Sequence, residues 1–146
     1  MPSPRKDNNI KIKTIDDCFK KYENIFILNH YKYCDRCHNF SDISFKNEIY
    51  LAPNILILII NSNDEDYDLD FPMKLNISKY INNPNSPKIY NLIGIISRIN
   101  SHFIAYCHHF DDNWYSFNNQ IVIRITKDKI KKITPYILFY QNSEIK

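Results

Sequence analysis

Glycine is almost missing from this chain: one residue, Gly94, in 146, where ordinary usage would supply roughly ten. Glycine provides positive φ and close backbone approach, so a glycine-rich phosphate loop is excluded. Long apolar runs are missing too. The longest, Ile55 to Ile60, follows Pro53-Asn54 and falls far short of the ~20 residues that span a bilayer as a helix. The opening Met1-Pro2-Ser3-Pro4-Arg5-Lys6-Asp7 contains no apolar stretch of the secretory kind. Charge of one sign is also scarce, because 19 Lys+Arg against 16 Asp+Glu leave +3, which points to no membrane and to no specific nucleic-acid partner. No fixed-period repeat is visible, which excludes a solenoid. These absences predict a soluble intracellular protein, cytoplasmic or nuclear, whose length suits one domain.

What is present is isoleucine, asparagine and lysine in excess, as AT-rich codons produce, together with 44% hydrophobic and 14% aromatic residues. Ile15, Cys18, Phe19, Tyr22 and Phe26 recur at three- and four-residue steps behind Thr14, which predicts one amphipathic helix over about 14–24. From Tyr31 the pattern becomes β. Strands are predicted at about 42–50, 55–61, 89–99, 102–110, 113–117, 120–125 and 136–141. Thr126 to Lys132 reads as a turn or two of helix capped by Thr126. The five carboxylates between Asp64 and Asp70 predict a solvated loop, and Asn82-Asn83-Pro84-Asn85-Ser86-Pro87 predicts a turn. The fold class is α+β, mostly an antiparallel sheet with one or two short helices.

Two groups of residues carry chemistry. Cys34-Asp35-Arg36-Cys37 is a CxxC and supplies by spacing two of the four ligands of a zinc site. His30, His38, Cys18 and the His108-His109 pair are candidate completions, although none stands in a second CxxC or HxxxH. Cys34 to His38 also spells CxxCH, the haem-attachment string of exported proteins. A thioredoxin-like role needs a βαβ setting that is not evident here. The second group is His102, at the start of a strand, and Asn118, at the end of the aromatic strand Trp114-Tyr115-Ser116-Phe117. Antiparallel pairing of the two strands brings the amide to the imidazole, and a histidine oriented by an amide is the base half of a Cys-His-Asn triad.

Read in order, these segments resemble the C-terminal half of a ubiquitin-specific protease, a papain-like deubiquitinase, from about Thr14 to Tyr140. Thr14 to Glu23 resembles the family's helix ahead of the fingers, and Tyr33 to Cys37 the second CxxC of its zinc-binding fingers. Leu51-Ala52-Pro53-Asn54-Ile55 to Ile60 stands where the family has a Leu-Pro followed by an apolar strand, and Phe71-Pro72-Met73-Lys74-Leu75 resembles the segment after it. Tyr90-Asn91-Leu92-Ile93-Gly94-Ile95 also matches. So do Ser101-His102-Phe103-Ile104-Ala105-Tyr106, Trp114 to Val122 and Pro135-Tyr136-Ile137-Leu138-Phe139-Tyr140.

The resemblance implies a papain-like palm sheet with a partial CxxC finger in a domain over 14–141, a flexible segment at 1–13 and a tail at 142–146. It implies His102 as the catalytic base, Asn118 as its orienter and Asn119 as a supporting neighbour. The family's upstream box with the nucleophilic cysteine has no counterpart in this sequence. Cys18 belongs to a different helix of the family, and Cys107, five residues beyond His102, falls on the opposite strand face. The family's "RF" has become Ser62-Asn63, and Ser101 replaces the glycine before the histidine.

The expectation is therefore a truncated deubiquitinase-like protein, inactive alone and binding ubiquitin, a ubiquitinated protein or a larger complex. One alternative is the base half of an active enzyme whose cysteine lies on another chain or an upstream segment, a complementing N-terminal half; another is a structural subunit of an assembly. No cofactor is expected. Cys34 and Cys37 form an incomplete metal half-site, from which the isolated chain is expected to bind zinc weakly or not at all. Lacking the lobe that covers the palm in the resembled fold, strands 89–99 and 102–110 are expected to expose a large apolar patch.

Overall fold

The computed structural model describes residues 13–60 and 68–145. The first helix, α1 (Ile15–Tyr22), begins where Thr14 and Asp17 cap one another: the Asp17 amide donates to Thr14 Oγ1 at 3.1 Å and the Thr14 amide donates to Asp17 Oδ2 at 3.0 Å. Asp16 and Asp17 lie in its first turn and Lys20 and Lys21 in its last, the order the helix dipole favours. The predicted pattern ran on through Phe26, but the helix stops at Tyr22. Ile25 instead opens strand β1 (Ile25–Cys34), which the sequence reading did not assign. It pairs with β2 (Asn39–Lys46) as a separate two-stranded finger. The strand predicted at 42–50 is shifted toward the N-terminus because the four-residue turn at 35–38 is tight and pairing resumes at once with Cys34 opposite Asn39.

The remaining strands are β3 (Ile55–Ile59), β4 (Lys74–Asn76), β5 (Ile89–Ile99), β6 (His102–His108), β7 (Trp114–Asn118), β8 (Ile121–Ile125) and β9 (Ile137–Asn142), with a one-turn helix α2 (Lys127–Ile130) before β9. They form one antiparallel sheet in the order β3-β9-β5-β6-β7-β8, and β4 pairs with the start of β5 on the β6 side. The short β4 was not predicted. Thr126 stands at the N-cap of α2 but makes no side-chain cap bond, contrary to the sequence expectation. The acidic loop expected over 61–70 falls for the most part outside the described residues, as does most of the expected N-terminal segment.

A chain so poor in glycine still has to turn. His38, Asn100, Asp112 and Asn119 occupy the left-handed region, with φ between 52 and 62°. Asn, Asp and His tolerate that region best after glycine, and here they close the finger and the successive hairpins of the sheet. The asparagine excess thus takes over the work that glycine does elsewhere.

One face of the sheet holds the core. Tyr90, Leu92, Ile95, Trp114, Leu138 and Tyr140 are buried there with Ile15 and Phe19 of α1, and Phe19 stacks on Tyr80 with ring centroids 4.8 Å apart. The Tyr90 and Tyr140 hydroxyls donate to the carbonyls of Pro53 and Pro72, each at 2.7 Å, and so pin two loops to the sheet centre. The other face is apolar and bare. The registers put Ile55, Ile57, Ile59, Phe103, Phe117 and Val122 on it together, and all six are exposed, Ile59 at 66%. The sequence reading placed the patch on 89–99 and 102–110; Phe103 of β6 is on it, but β5 contributes little to it. Most apolar residues of β5 are buried or half-buried, and the exposed ones of this face lie on β3, β6, β7 and β8.

Candidate active site

Both members of the histidine–asparagine pair sit at hairpin ends. His102 pairs with Ile99 across the two-residue loop Asn100-Ser101, and Asn118 pairs with Ile121 across Asn119-Gln120. Because β6 and β7 are antiparallel, these two loops lie at the same end of the sheet. The register sets Ala105 opposite Phe117, so Asn118 lies two positions diagonally from His102 on one face. The side chains bridge that gap: His102 Nε2 is 2.7 Å from Asn118 Oδ1. An amide oxygen only accepts, so Nε2 carries the proton and Nδ1 keeps its lone pair. His102 is exposed and Asn118 half-buried, which leaves the basic nitrogen accessible to a second reactant. Asn119 has φ 52° and serves the turn; the amide that reaches the ring is that of Asn118.

All four cysteines lie among the described residues, and none shares an element and face with His102. Cys107 follows on β6 with odd spacing, opposite Gly94 and Tyr115 on the bare face, and burial pushes its thiol up. Cys18, on α1, faces an open groove of about 700 Å³ lined by Phe19, Tyr22, Ile49 and Leu56. Burial raises that thiol as well. A thiol nucleophile needs the opposite shift.

Cys34 and Cys37 flank the finger tip. The amides of Cys37 and Arg36 donate to the Cys34 sulfur and, with the neighbouring Cys37 thiol, pull its titration below the usual thiol range. The His38 amide closes the turn onto the Cys34 carbonyl at 2.8 Å. Among the described residues no group of three or more His, Cys, Asp or Glu side chains is gathered as a metal site, so the described residues do not make a four-ligand zinc centre. His38 lies with Nδ1 3.3 Å from the Tyr33 hydroxyl, and the side chain of His30 lies outside the described residues. The other proposed completions are committed elsewhere. His108 Nε2 contacts Asp112 at 3.0 Å and His109 Nδ1 contacts Asp111 at 3.2 Å. Burial pushes the Asp111 carboxyl up, yet hydrogen bonds from Tyr115, Asn113 and His109 outweigh it and hold the group below the usual range. The sequence reading missed these pairings, although the His-to-Asp spacing across a tight turn was a usable signal.

The chain as a whole has counterparts among known proteins. The family described as ubiquitin carboxyl-terminal hydrolase matches residues 4–140. The chain is similar to ubiquitin carboxyl-terminal hydrolase 8 of Saccharomyces cerevisiae, with 29% identity over 85% of this chain and 31% of that protein. It is also similar to ubiquitin carboxyl-terminal hydrolase 8 of Arabidopsis thaliana, with 31% identity over 75% of this chain and 14% of that protein. Among solved structures, a SAGA DUB module bound to monoubiquitin superimposes with a TM-score of 0.76 at 28% identity, over 90% of this chain and 33% of that one. The chain thus spans about a third or less of each of these proteins. No helix among the described residues is long and apolar enough to cross a membrane.

Proposed function

The chain belongs to the ubiquitin carboxyl-terminal hydrolase family, and from that premise we propose that it supplies the base and its orienter to a thiol-dependent deubiquitinase and is inactive alone. The observation that carries this reading is the 2.7 Å bond between His102 Nε2 and Asn118 Oδ1, which leaves Nδ1 free. A cysteine brought to Nδ1 by another segment or chain gives its proton to that nitrogen, and the thiolate attacks the carbonyl that joins ubiquitin's C-terminal glycine to the lysine amine. The imidazolium, held in place by the Asn118 oxygen, returns the proton to the departing amine. The same nitrogen then activates the water that cleaves the thioester. Asn118 is a positioning residue in this scheme: it fixes the tautomer and touches no reacting atom.

The bare apolar face favours a second reading, a module that binds ubiquitin or an assembly without chemistry, because a monomer seldom exposes such a patch without use for it. One experiment addresses both. Incubated with a ubiquitin C-terminal fluorogenic amide, the chain alone is expected to release no fluorophore above buffer, and turnover abolished by alkylation would overturn the reading. Titration with ubiquitin is expected to perturb the His102 ring resonances. Binding that perturbs only the bare face would favour the module.

A further inference from the structure

We propose that two copies of this chain join edge to edge along β8, pairing as antiparallel strands about a two-fold axis at Ile123. The inference starts from an edge that carries none of the usual protection. Among the described residues β8 (Ile121–Ile125) is the last strand of the large sheet and is paired on one side only, with β7. Ile121, Val122 and Ile123 are 59%, 55% and 56% exposed, so neither α2 nor any other described element covers them. Open edges are usually blunted by lysine, proline, a bulge or an overlying loop. Here the register with β7 runs unbroken from Asn118 opposite Ile121 to Trp114 opposite Ile125, and every side chain but Arg124 is β-branched. The Arg124 guanidinium, the strand's single charge, is turned back along its own hairpin to the Asn113 side chain.

The hairpin also fixes which groups a partner strand must meet. The two-residue turn Asn119-Gln120 closes it on the pair Asn118 and Ile121, so alternate residues of β8 bond to β7 and the amides and carbonyls of Val122 and Arg124 point outward. A second β8 turned about Ile123 brings its own Arg124 and Val122 to them, and each pair exchanges both of its bonds. The side chains sort by face. Ile121 lies opposite the partner copy's Ile125 and Ile123 opposite itself, while Val122 lies opposite the partner copy's Arg124. On one face isoleucine meets only isoleucine, and on the other no arginine meets an arginine. Beyond the strand, Lys127, which donates to Asp112, comes to lie beside the uncharged Asn119-Gln120 turn. No like charges stand opposite one another along the pairing, and this self-complementarity makes the occupant a second copy rather than an unrelated strand. The contact is isologous about a two-fold axis, the commonest symmetry of soluble oligomers. Five residues a side are far fewer than the roughly 20–30 of a standard interface, so the dimer forms and dissociates with concentration.

The test uses the full chain with no added partner. By analytical ultracentrifugation the molar mass is expected to rise with concentration from one chain toward two, and the Val122 and Arg124 amides to gain protection from hydrogen exchange in step. Ile123→Lys and Ile123→Glu each set a charge against its own copy. Either variant alone is expected to stay monomeric at every concentration, whereas an equimolar mixture of the two recovers the dimer. That rescue requires residue 123 to face itself, which a misfolded variant does not reproduce. Urea unfolding followed by tryptophan fluorescence is expected to show that both variants keep the fold, because the position is exposed. A parent that remains monomeric, a dimer that survives Ile123→Lys and so forms elsewhere, as on the bare apolar face, or two variants that fail to pair when mixed would each overturn the proposal.

Discussion

In the large sheet, Tyr90, Leu138 and Tyr140 are wholly buried, whereas in the finger Tyr33 and Phe40 remain 47% and 62% exposed and meet edge to face, with ring centroids 5.3 Å apart. Both regions end in a pair of reactive side chains held in contact. The sheet fixes His102 and Asn118 through a strand register that the core enforces, since slipping one residue would turn every buried tyrosine and leucine outward. The finger fixes Cys34 and Cys37 through four residues of backbone at an exposed tip. Chemistry on the sheet therefore depends on the fold, while chemistry on the finger depends on what binds its tip.

The sharpest way to break this contrast is to open the core. Leu138 is 0% exposed on β9, which lies between β3 and β5, so Leu138→Ala is expected to cost about 2–5 kcal/mol. Phe40→Ala on the finger removes an exposed ring and is expected to cost about 0.5 kcal/mol or less. Urea unfolding followed by tryptophan fluorescence measures both, since Trp114 is the one tryptophan and is buried. Equal losses would mean that the finger is packed as firmly as the sheet.

The same contrast explains what could be read from the sequence. Strands β3 and β5 to β9 announce themselves because each is long, β-branched or aromatic, and bounded by Asn, Asp, Ser or Pro. The α1 start was legible in Thr14, ahead of an acidic first turn. The meeting of His102 with Asn118 is register arithmetic once β6 and β7 are known to be neighbours. By contrast β1 was hidden, because Phe26 continues the helical spacing of α1 and only pairing with β2 makes that segment a strand. Strand β4 has three residues, too few to show alternation, and is defined by β5 alone. The bare patch was placed only in part, on β6 with Phe103 but also on β5, because sequence gives the apolar residues but not which of them the core covers.

A smaller effect separates the two regions through pH. Asp16 is bonded by Lys20 at 2.8 Å, by Lys79, and by the Tyr80 hydroxyl at 2.5 Å, and these partners, Lys20 foremost, hold its carboxyl well below the usual range. A carboxyl depressed by folding contributes stability above its unfolded value, near 3.8, and that contribution is lost as pH falls through the folded value. Asp16 is partly exposed, so solvent screening limits the effect to about 0.5–1 kcal/mol. Asp16→Asn is therefore expected to be less stable than the parent at pH 6, with the difference shrinking below pH 4 until the two unfold together. A difference that grows with acid would reverse the sign and refute the assignment.

The smallest effect on stability belongs to the dyad itself, and it carries the most information about function. His102 is exposed and Asn118 supports no buried neighbour through a hydrogen bond, so Asn118→Ala is expected to shift unfolding by no more than about 0.5 kcal/mol. Its effect on the imidazole is of another kind. With the Asn118 oxygen 2.7 Å from Nε2, the neutral ring has a reason to keep its proton there; with alanine in place, nothing in the pair favours either nitrogen and both tautomers are populated. Long-range nitrogen–proton correlation spectra distinguish the two, so the parent is expected to show a protonated Nε2 and an unprotonated Nδ1, and the variant a mixture. A parent ring with its proton on Nδ1 would have no lone pair to offer a thiol from that side. An unchanged tautomer in the variant would show that Asn118 does not orient the base, and the sheet would then hold its reactive pair no more firmly than the finger holds its own.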